Sequence, residues 1–353
     1  MRRYLFVTMV AVLVATSIAL GRGQSPGGAP TKAWRFEQIG KGVHFATGTG
    51  LMTTMSNSMV IENADHVMLV DTSVTPAAAR ALVAQIKEEI TPKPIKYVFN
   101  SHYHFDHAHG NQIFGDDVEI IGHEYIRKMH LSNVIQQRTN RAFSEGLPNQ
   151  ITQMKERIAK TTDAKERTQL ETGLRVTEAH YKAIQEVAPK PPNVTFSDVM
   201  TLHKGGREVQ VHFLGRGHTG GDTMVFLPAE RIVFTGDFFE GRPGAGVLSY
   251  FGDAFIDEWP DSLERLKALE FDIIVPGHGA PLKERQQITD FQNYIRDLWR
   301  QAAALRLQGV TAQQAVEKID MSKFAAQYSL KSPRPDPRAV LRVYELLQIA
   351  MPM

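Results

Sequence analysis

The chain has 353 residues, 42% of them hydrophobic, with 40 Lys and Arg against 38 Asp and Glu and a formal net charge of +2. That length supports one large domain with additions or two domains. Charge of both signs, spread without a basic stripe, argues against nucleic acid as a partner. There is no cysteine, so disulfides and thiolate ligands are excluded, and any metal must be held by histidine and carboxylate.

The first residues read as an export signal. Arg2 and Arg3 form a basic start, and Tyr4 to Leu20 is an apolar run. That run is short for a membrane span, which needs about 20 residues. Small residues and a loose, glycine-rich stretch follow. Residues 1–23 are therefore expected to be a signal peptide, which places the mature protein in the periplasm or outside the cell. Only an uncleaved segment would hold it at a membrane, and no cysteine follows to carry a lipid.

Further on, "VHFATG", "SNSMVIEN" and "HVMLVDT" have strand texture. Thr75 as N-cap, Pro76 at the first helical position, and Ala79, Leu82, Val83 and Ile86 on one face predict a helix. The strand "IKYVFN" follows it, then "VEIIGHE". From Tyr125 to Ala188 charges become dense and glycine sparse. Ile151, Met154 and Ile158 recur at helical spacing, as do Leu170, Leu174, Tyr181 and Ile184, which predicts a helical insertion. Strand texture returns with "REVQVHFLG", with a hairpin turning at Pro228, Ala229 and Glu230, and with "FDIIVPGHG". "PDSLERLKALE" reads as a helix with Asp261 as candidate N-cap. Three further helices close the chain, one stopped at Gly309, the next opened by a Thr311/Gln314 capping box, and the last over "DPRAVLRVYELLQIA". Strands alternate with helices in two halves, which is an α/β layered fold.

The chemistry gathers where strands stop. "SHYHFDHAHG" places His102, His104, Asp106 and His107 just past a strand, and His218, Asp237 and His278 each follow another strand beside glycines. In an extended segment, residues i and i+2 point the same way, so His102 and His104 can grip one cation while Asp106 and His107, beyond the bend, face a second. The set is too large for one tetrahedral zinc with three protein ligands and suits two metals. His44, His109, His123 and His203 belong to no motif and are read as structural. Asp71 is read as supporting the ligand loop, and Asp222 as fixing its own turn.

His-x-His-x-Asp-His, then Gly-His-Thr, Thr-Gly-Asp and Pro-Gly-His-Gly, in that order between Asn57 and Gly279, resembles the metallo-β-lactamase superfamily. The resemblance implies an αββα sandwich with a helical insertion and C-terminal helices. A catalytic domain would comprise 30–124 and 193–285, the insertion 125–192 and the C-terminal extension 286–353. It implies two Zn2+ per chain: His102, His104 and His218 on the first, Asp106, His107 and His278 on the second, with Asp237 where many family hydrolases place a bridging carboxylate. Subclasses with a cysteine ligand are excluded.

The implied activity is that of a zinc-dependent hydrolase whose metal-bound hydroxide, oriented by Asp106, opens a carbonyl substrate. β-Lactam hydrolysis leads, with lactones, thioesters and other esters behind it. The alternatives are an iron-dependent oxidoreductase of the same superfamily and a non-catalytic binding protein. Met52 in the loop 47–57, and Arg242, Tyr250, Phe251 and Trp259 in the loop 240–259, are the expected substrate neighbours. The insertion would serve as a lid or as an arm for an oligomer.

Overall fold

The computed structural model describes residues 31–241, 248–328, 330 and 332–350. The signal-peptide segment 1–23 and Arg242 lie outside the described residues.

The first half runs β1 (Trp34–Gly40), β2 (Val43–Gly48), β3 (Ser58–Glu62), β4 (Val67–Val70), α1 (Pro76–Glu89), β5 (Ile95–Phe99), α2 (Phe105–Ala108) and β6 (Glu119–His123). Next come α3 (Glu124–Leu131), α4 (Arg138–Ser144), α5 (Leu147–Lys160) and α6 (Ala164–Ile184), and then β7 (Val194–Phe196). The second half runs β8 (Val199–Lys204), β9 (Arg207–Phe213), β10 (Thr223–Leu227), β11 (Ile232–Gly236), α7 (Trp259–Lys267) and β12 (Ile273–Pro276). It is closed by α8 (Gln286–Leu307), α9 (Ala312–Lys318), α10 (Ala325–Tyr328) and α11 (Pro337–Ala350).

The first sheet has seven strands in the order β1 to β7, and the second has five, β12-β11-β10-β9-β8. Strands β1 to β4 pair antiparallel, whereas β4 to β7 pair parallel across helical crossovers. Between the sheets lie Phe45, Met59, Ile61, Met68, Val70 and Phe99 from one side, and Val211, Val225, Phe234 and Val275 from the other. The alternate residues of the same strands face outward: Val60, Val67, Leu69 and Val98 pack under Leu82 and Ile86 of α1. On the far face of the second sheet, Met224, Phe226, Val233 and Ile274 pack under Trp259, Leu263, Phe291 and Ile295. A strand covered on both faces must be apolar at every position, and β4, "VMLV", is buried throughout. The layers are helix, sheet, sheet, helix.

Helix α1 starts as its sequence predicts: Thr75 accepts from the Ala78 N–H and proline occupies the first turn. The capping box at Thr311 and Gln314 forms on α9. Helix α7 differs. Its chain turns helical earlier, because the N–H groups of Glu258 and Trp259 both reach the Phe255 carbonyl, at 3.1 and 2.9 Å. Glu258 is therefore the cap residue, and Asp261 sits inside the first turn. Strands β1, β7 and β8 are additions to the reading from sequence. The insertion occupies the β6–β7 crossover, where α5 and α6 pack on each other and α6 buries none of its residues. Among the described residues, no helix is long and apolar enough to cross a membrane.

Phe234 is fully buried between the sheets. Phe234→Ala is expected to destabilise the fold by about 3–5 kcal/mol, as a lower denaturant midpoint with unchanged slope in chemical unfolding.

Candidate metal centre

Five strands, β4, β5, β9, β11 and β12, point their C-terminal ends at one edge of the sandwich. Each delivers a polar residue there, which is where α/β folds place their sites. Asp71 follows β4 with φ of 60°, a left-handed conformation uncommon for a residue with a side chain. Its carboxylate accepts from the Ser101 N–H at 2.8 Å and the Ser101 hydroxyl at 2.7 Å. Its Oδ2 also lies 2.7 Å from His107 Nδ1.

Two positions demand glycine. Gly236 has φ of 52°, and a Cβ there would lie 2.5 Å from Ser101 Oγ; a Cβ on Gly277 would lie 2.2 Å from Asp237 Oδ1. The loop carrying His278 is tied to the first sheet by Asn57, whose side-chain amide donates to the carbonyls of Pro276 and Gly279 at 3.0 and 2.8 Å.

The seven motif side chains meet at this edge in two adjoining groups. His102, His104, His218 and Asp237 form one, and Asp106, His107 and His278 the other. Asp237 lies between them: its Oδ2 is 3.8 Å from His102 Nε2, 3.6 Å from His218 Nε2 and 3.4 Å from His278 Nε2, and its Oδ1 is 3.2 Å from His107 Nε2. Asp106 Oδ2 is 3.2 Å from His278 Nε2 and 3.5 Å from His107 Nε2. His278 is at the rim, with 34% of its side chain exposed, and the others are buried.

Tautomers follow from the outer partners. His107 Nδ1–H points at Asp71, which leaves the Nε2 lone pair facing two carboxylate oxygens. His102 Nδ1 lies 3.0 Å from Ser101 Oγ; its Nε2, His107 Nε2 and Asp237 Oδ1 are buried without a hydrogen-bond partner. Lone pairs and anionic oxygens facing one another across 3.2 to 3.8 Å need cations or shared protons between them. Nitrogen and carboxylate donors in this proportion fit a divalent transition metal such as zinc or iron.

The electrostatics point the same way. Burial and the neighbouring imidazoles hold the His102 pKa well below the ordinary range, and burial pushes His218 down to about 3. Burial works against a charge on His107 too, but Asp237, Asp106 and Asp71 outweigh it and raise its pKa well above the usual value. Burial, then the charge of Asp237, push Glu240 up to about 8.

Several neighbours have no motif around them. Glu240 joins Asp237 and His278 in a third group of potential ligands. Asp253 Oδ2 is 3.2 Å from His104 Nε2, and Thr139 of α4 hydrogen-bonds the same carboxylate. Burial alone would raise the Asp253 pKa, but the hydrogen bonds from His104, Thr139 and Tyr103 and the charge of His104 hold it well below the usual carboxylate range.

Tyr250 is at the mouth, half-buried, its ring 6.0 Å from that of His104 and 6.2 Å from Phe143 of α4. Met52 is half-buried against the cluster of Val74, Ala78 and Phe105. Trp259 is not at the mouth. Its exposure is 0%, its indole N–H donates to the Phe238 carbonyl at 3.0 Å, and its ring lies 5.9 Å from His218. Trp259 and Phe251, expected beside the substrate, are instead fully buried core residues packed on each other. Asp222 accepts from the Thr219 N–H and hydroxyl, closing its own turn.

A family profile described as "Metallo-beta-lactamase superfamily" matches residues 51–278. The linear primary-alkylsulfatase of Pseudomonas sp. (strain ATCC 19151) is 26% identical over 290 residues, covering 76% of this chain and 51% of that protein. The metallo-beta-lactamase type 2 of Bacteroides fragilis is 25% identical over 226 residues, covering 64% of this chain and 69% of the relative. The chain thus spans about half the length of the alkylsulfatase. The solved metallo-beta-lactamase from Pontibacter korlensis superposes with a TM-score of 0.54 at 19% identity, over 74% of this chain and 99% of that one. The profile match spans well over half of the residues and includes all seven candidate ligands at the sheet edge, and the chain belongs to the metallo-β-lactamase superfamily.

Proposed function

We propose that the protein is a two-zinc hydrolase of a small-molecule substrate, in which His102, His104 and His218 would hold one ion and Asp106, His107 and His278 the other, with Asp237 as a candidate ligand placed between the two sets. One observation carries this reading: two adjoining sets of donors, buried except for His278 at the rim, lie on either side of the Asp237 carboxylate, which is 3.6 Å from His218 and 3.4 Å from His278. When bound, the ions would supply Lewis acidity and lower the pKa of water from roughly 15.7 to about 7.

The chain's own groups do the rest. Asp71 keeps His102 and His107 in the tautomers that present Nε2 inward. Asp106 orients the attacking water and accepts its proton. Tyr250, Phe143 and Met52 wall the mouth and exclude bulk water from an apolar substrate body. β-Lactam ring opening remains the first activity to test. Sulfate-ester cleavage is the second, because the alkylsulfatase matches across more of this chain than the lactamase does. The alternative of iron with dioxygen is separated from both by metal content.

The arm formed by α5 and α6 buries one residue, Leu147, too little for two helices to stand on by themselves. We propose that a second copy of the chain covers it, and that the protein works in the periplasm or outside the cell.

Metal analysis after dialysis against zinc is expected to find two ions per chain. A chelator should abolish turnover of a chromogenic cephalosporin or an alkyl sulfate, and zinc should restore it. Asp106→Ala should lower kcat by more than about 100-fold, beyond the 10–100-fold that outer partners of a ligand typically cost, while the circular dichroism spectrum is retained. A zinc-free chain, or full turnover by Asp106→Ala, would defeat the proposal. Sedimentation should show a dimer that Ile158→Asp with Tyr181→Asp dissociates; a monomer at every concentration would exclude the arm as an interface.

A further inference from the structure

His104 differs from His102 and His107 in where its outer nitrogen goes. His102 and His107 are oriented from within the sandwich, through Ser101 and Asp71. The outer nitrogen of His104, Nε2, points instead at groups from outside the two sheets. It lies 3.2 Å from Asp253 Oδ2 and 3.2 Å from Thr139 Oγ1. Thr139 belongs to α4 in the insertion, is buried, and hydrogen-bonds Asp253 directly.

The backbone around Asp253 is gripped from two sides. Arg138, next to Thr139, donates to the Gly252 carbonyl at 2.9 Å and pairs with Glu345 of α11 at 3.0 Å. Arg342 of α11 donates to the Ala254 carbonyl at 2.7 Å and also pairs with Glu345, at 3.2 Å. Two stretches of chain that add nothing to either sheet, α4 and the loop 251–254, thus meet at one imidazole, and a third, α11, holds that loop.

We propose that Asp253 and Thr139 are positioning residues for the first metal. They fix His104 with its proton on Nε2 and its Nδ1 lone pair inward, 3.0 Å from His218 Nε2, while Arg138, Glu345 and Arg342 hold the loop that carries Asp253. The inference rests on the reading of His104 as a zinc ligand. A carboxylate behind a ligating histidine sets its tautomer and orientation and raises its basicity, and removing such a partner typically costs 10–100-fold in metal affinity. The insertion and the C-terminal helix thereby reach the first metal without touching it.

The test is chelator competition with zinc, and the absorption spectrum with cobalt(II) in its place, on the full chain and four variants. Asp253→Ala should weaken one of the two sites by about 10–100-fold and change the cobalt spectrum, with the melting temperature of the metal-free protein unchanged. Asp253→Asn keeps an acceptor for Nε2–H and should recover part of the loss. Thr139→Val keeps shape without the hydroxyl and should weaken the same site several-fold; it carries the test if Asp253→Ala does not fold. His104→Ala should lose that site altogether. If His104→Ala loses one zinc while Asp253→Ala and Thr139→Val keep wild-type affinity at both sites, the positioning role is wrong and the metal centre stands. If the unaltered chain binds no zinc, both readings fall.

Discussion

The Asp71 carboxylate is the constraint on which the centre depends. It is fully buried, at the end of a fully buried strand, in a backbone conformation that only a tight turn imposes. Burying an unpaired carboxylate costs several kcal/mol, so Asp71 must find donors, and it finds Ser101 and His107. Through Ser101 it reaches His102. One anion therefore sets the orientation of an imidazole in each of the two candidate ligand groups. The glycines at 236 and 277 let the second sheet bring Asp237 and His278 up against that arrangement without a Cβ in the way.

The other candidate ligands are brought together by architecture more than by local preference. His218, Asp237 and His278 come from the second sheet, and His102, His104, Asp106 and His107 from the loop after β5 in the first. The apolar layer between Phe45, Met59 and Phe99 on one side and Val211, Phe234 and Val275 on the other sets the distance between the two contributions. The hydrogen bonds from Asn57 to the 276–279 loop, and from the Thr223 N–H to the Ser101 carbonyl at 2.6 Å, lock the register at the site itself.

Much of this was legible in the sequence, for physical reasons. A strand buried on both faces has to read as a continuous apolar run, as β4 does, and α1 carries its cap and its apolar stripe in adjacent residues. The histidine motifs stood out because polar residues clustered after apolar runs have few structural uses. What was not legible depends on tertiary contact. Strands β1 and β8 lie at sheet edges, mix charged with apolar side chains, and are strands only because a neighbour pairs with them. Strand β7 is three residues long. Trp259 looked like a loop aromatic because the first turn of α7 begins with the Phe255 carbonyl and not with a capping side chain. Asp253, Thr139 and Glu240 have no pattern around them; each matters through what the fold sets beside it.

The layered arrangement has a further consequence. Because the donors are split between the two halves of the sandwich, an ion seated among them would be a cross-link as well as a reagent. Its binding energy would resist the sliding apart of the layers, so resistance to heat should follow the free ion concentration. A cell that withholds the ion would then hold a looser molecule, one more open to proteases before it is ever asked to turn over substrate.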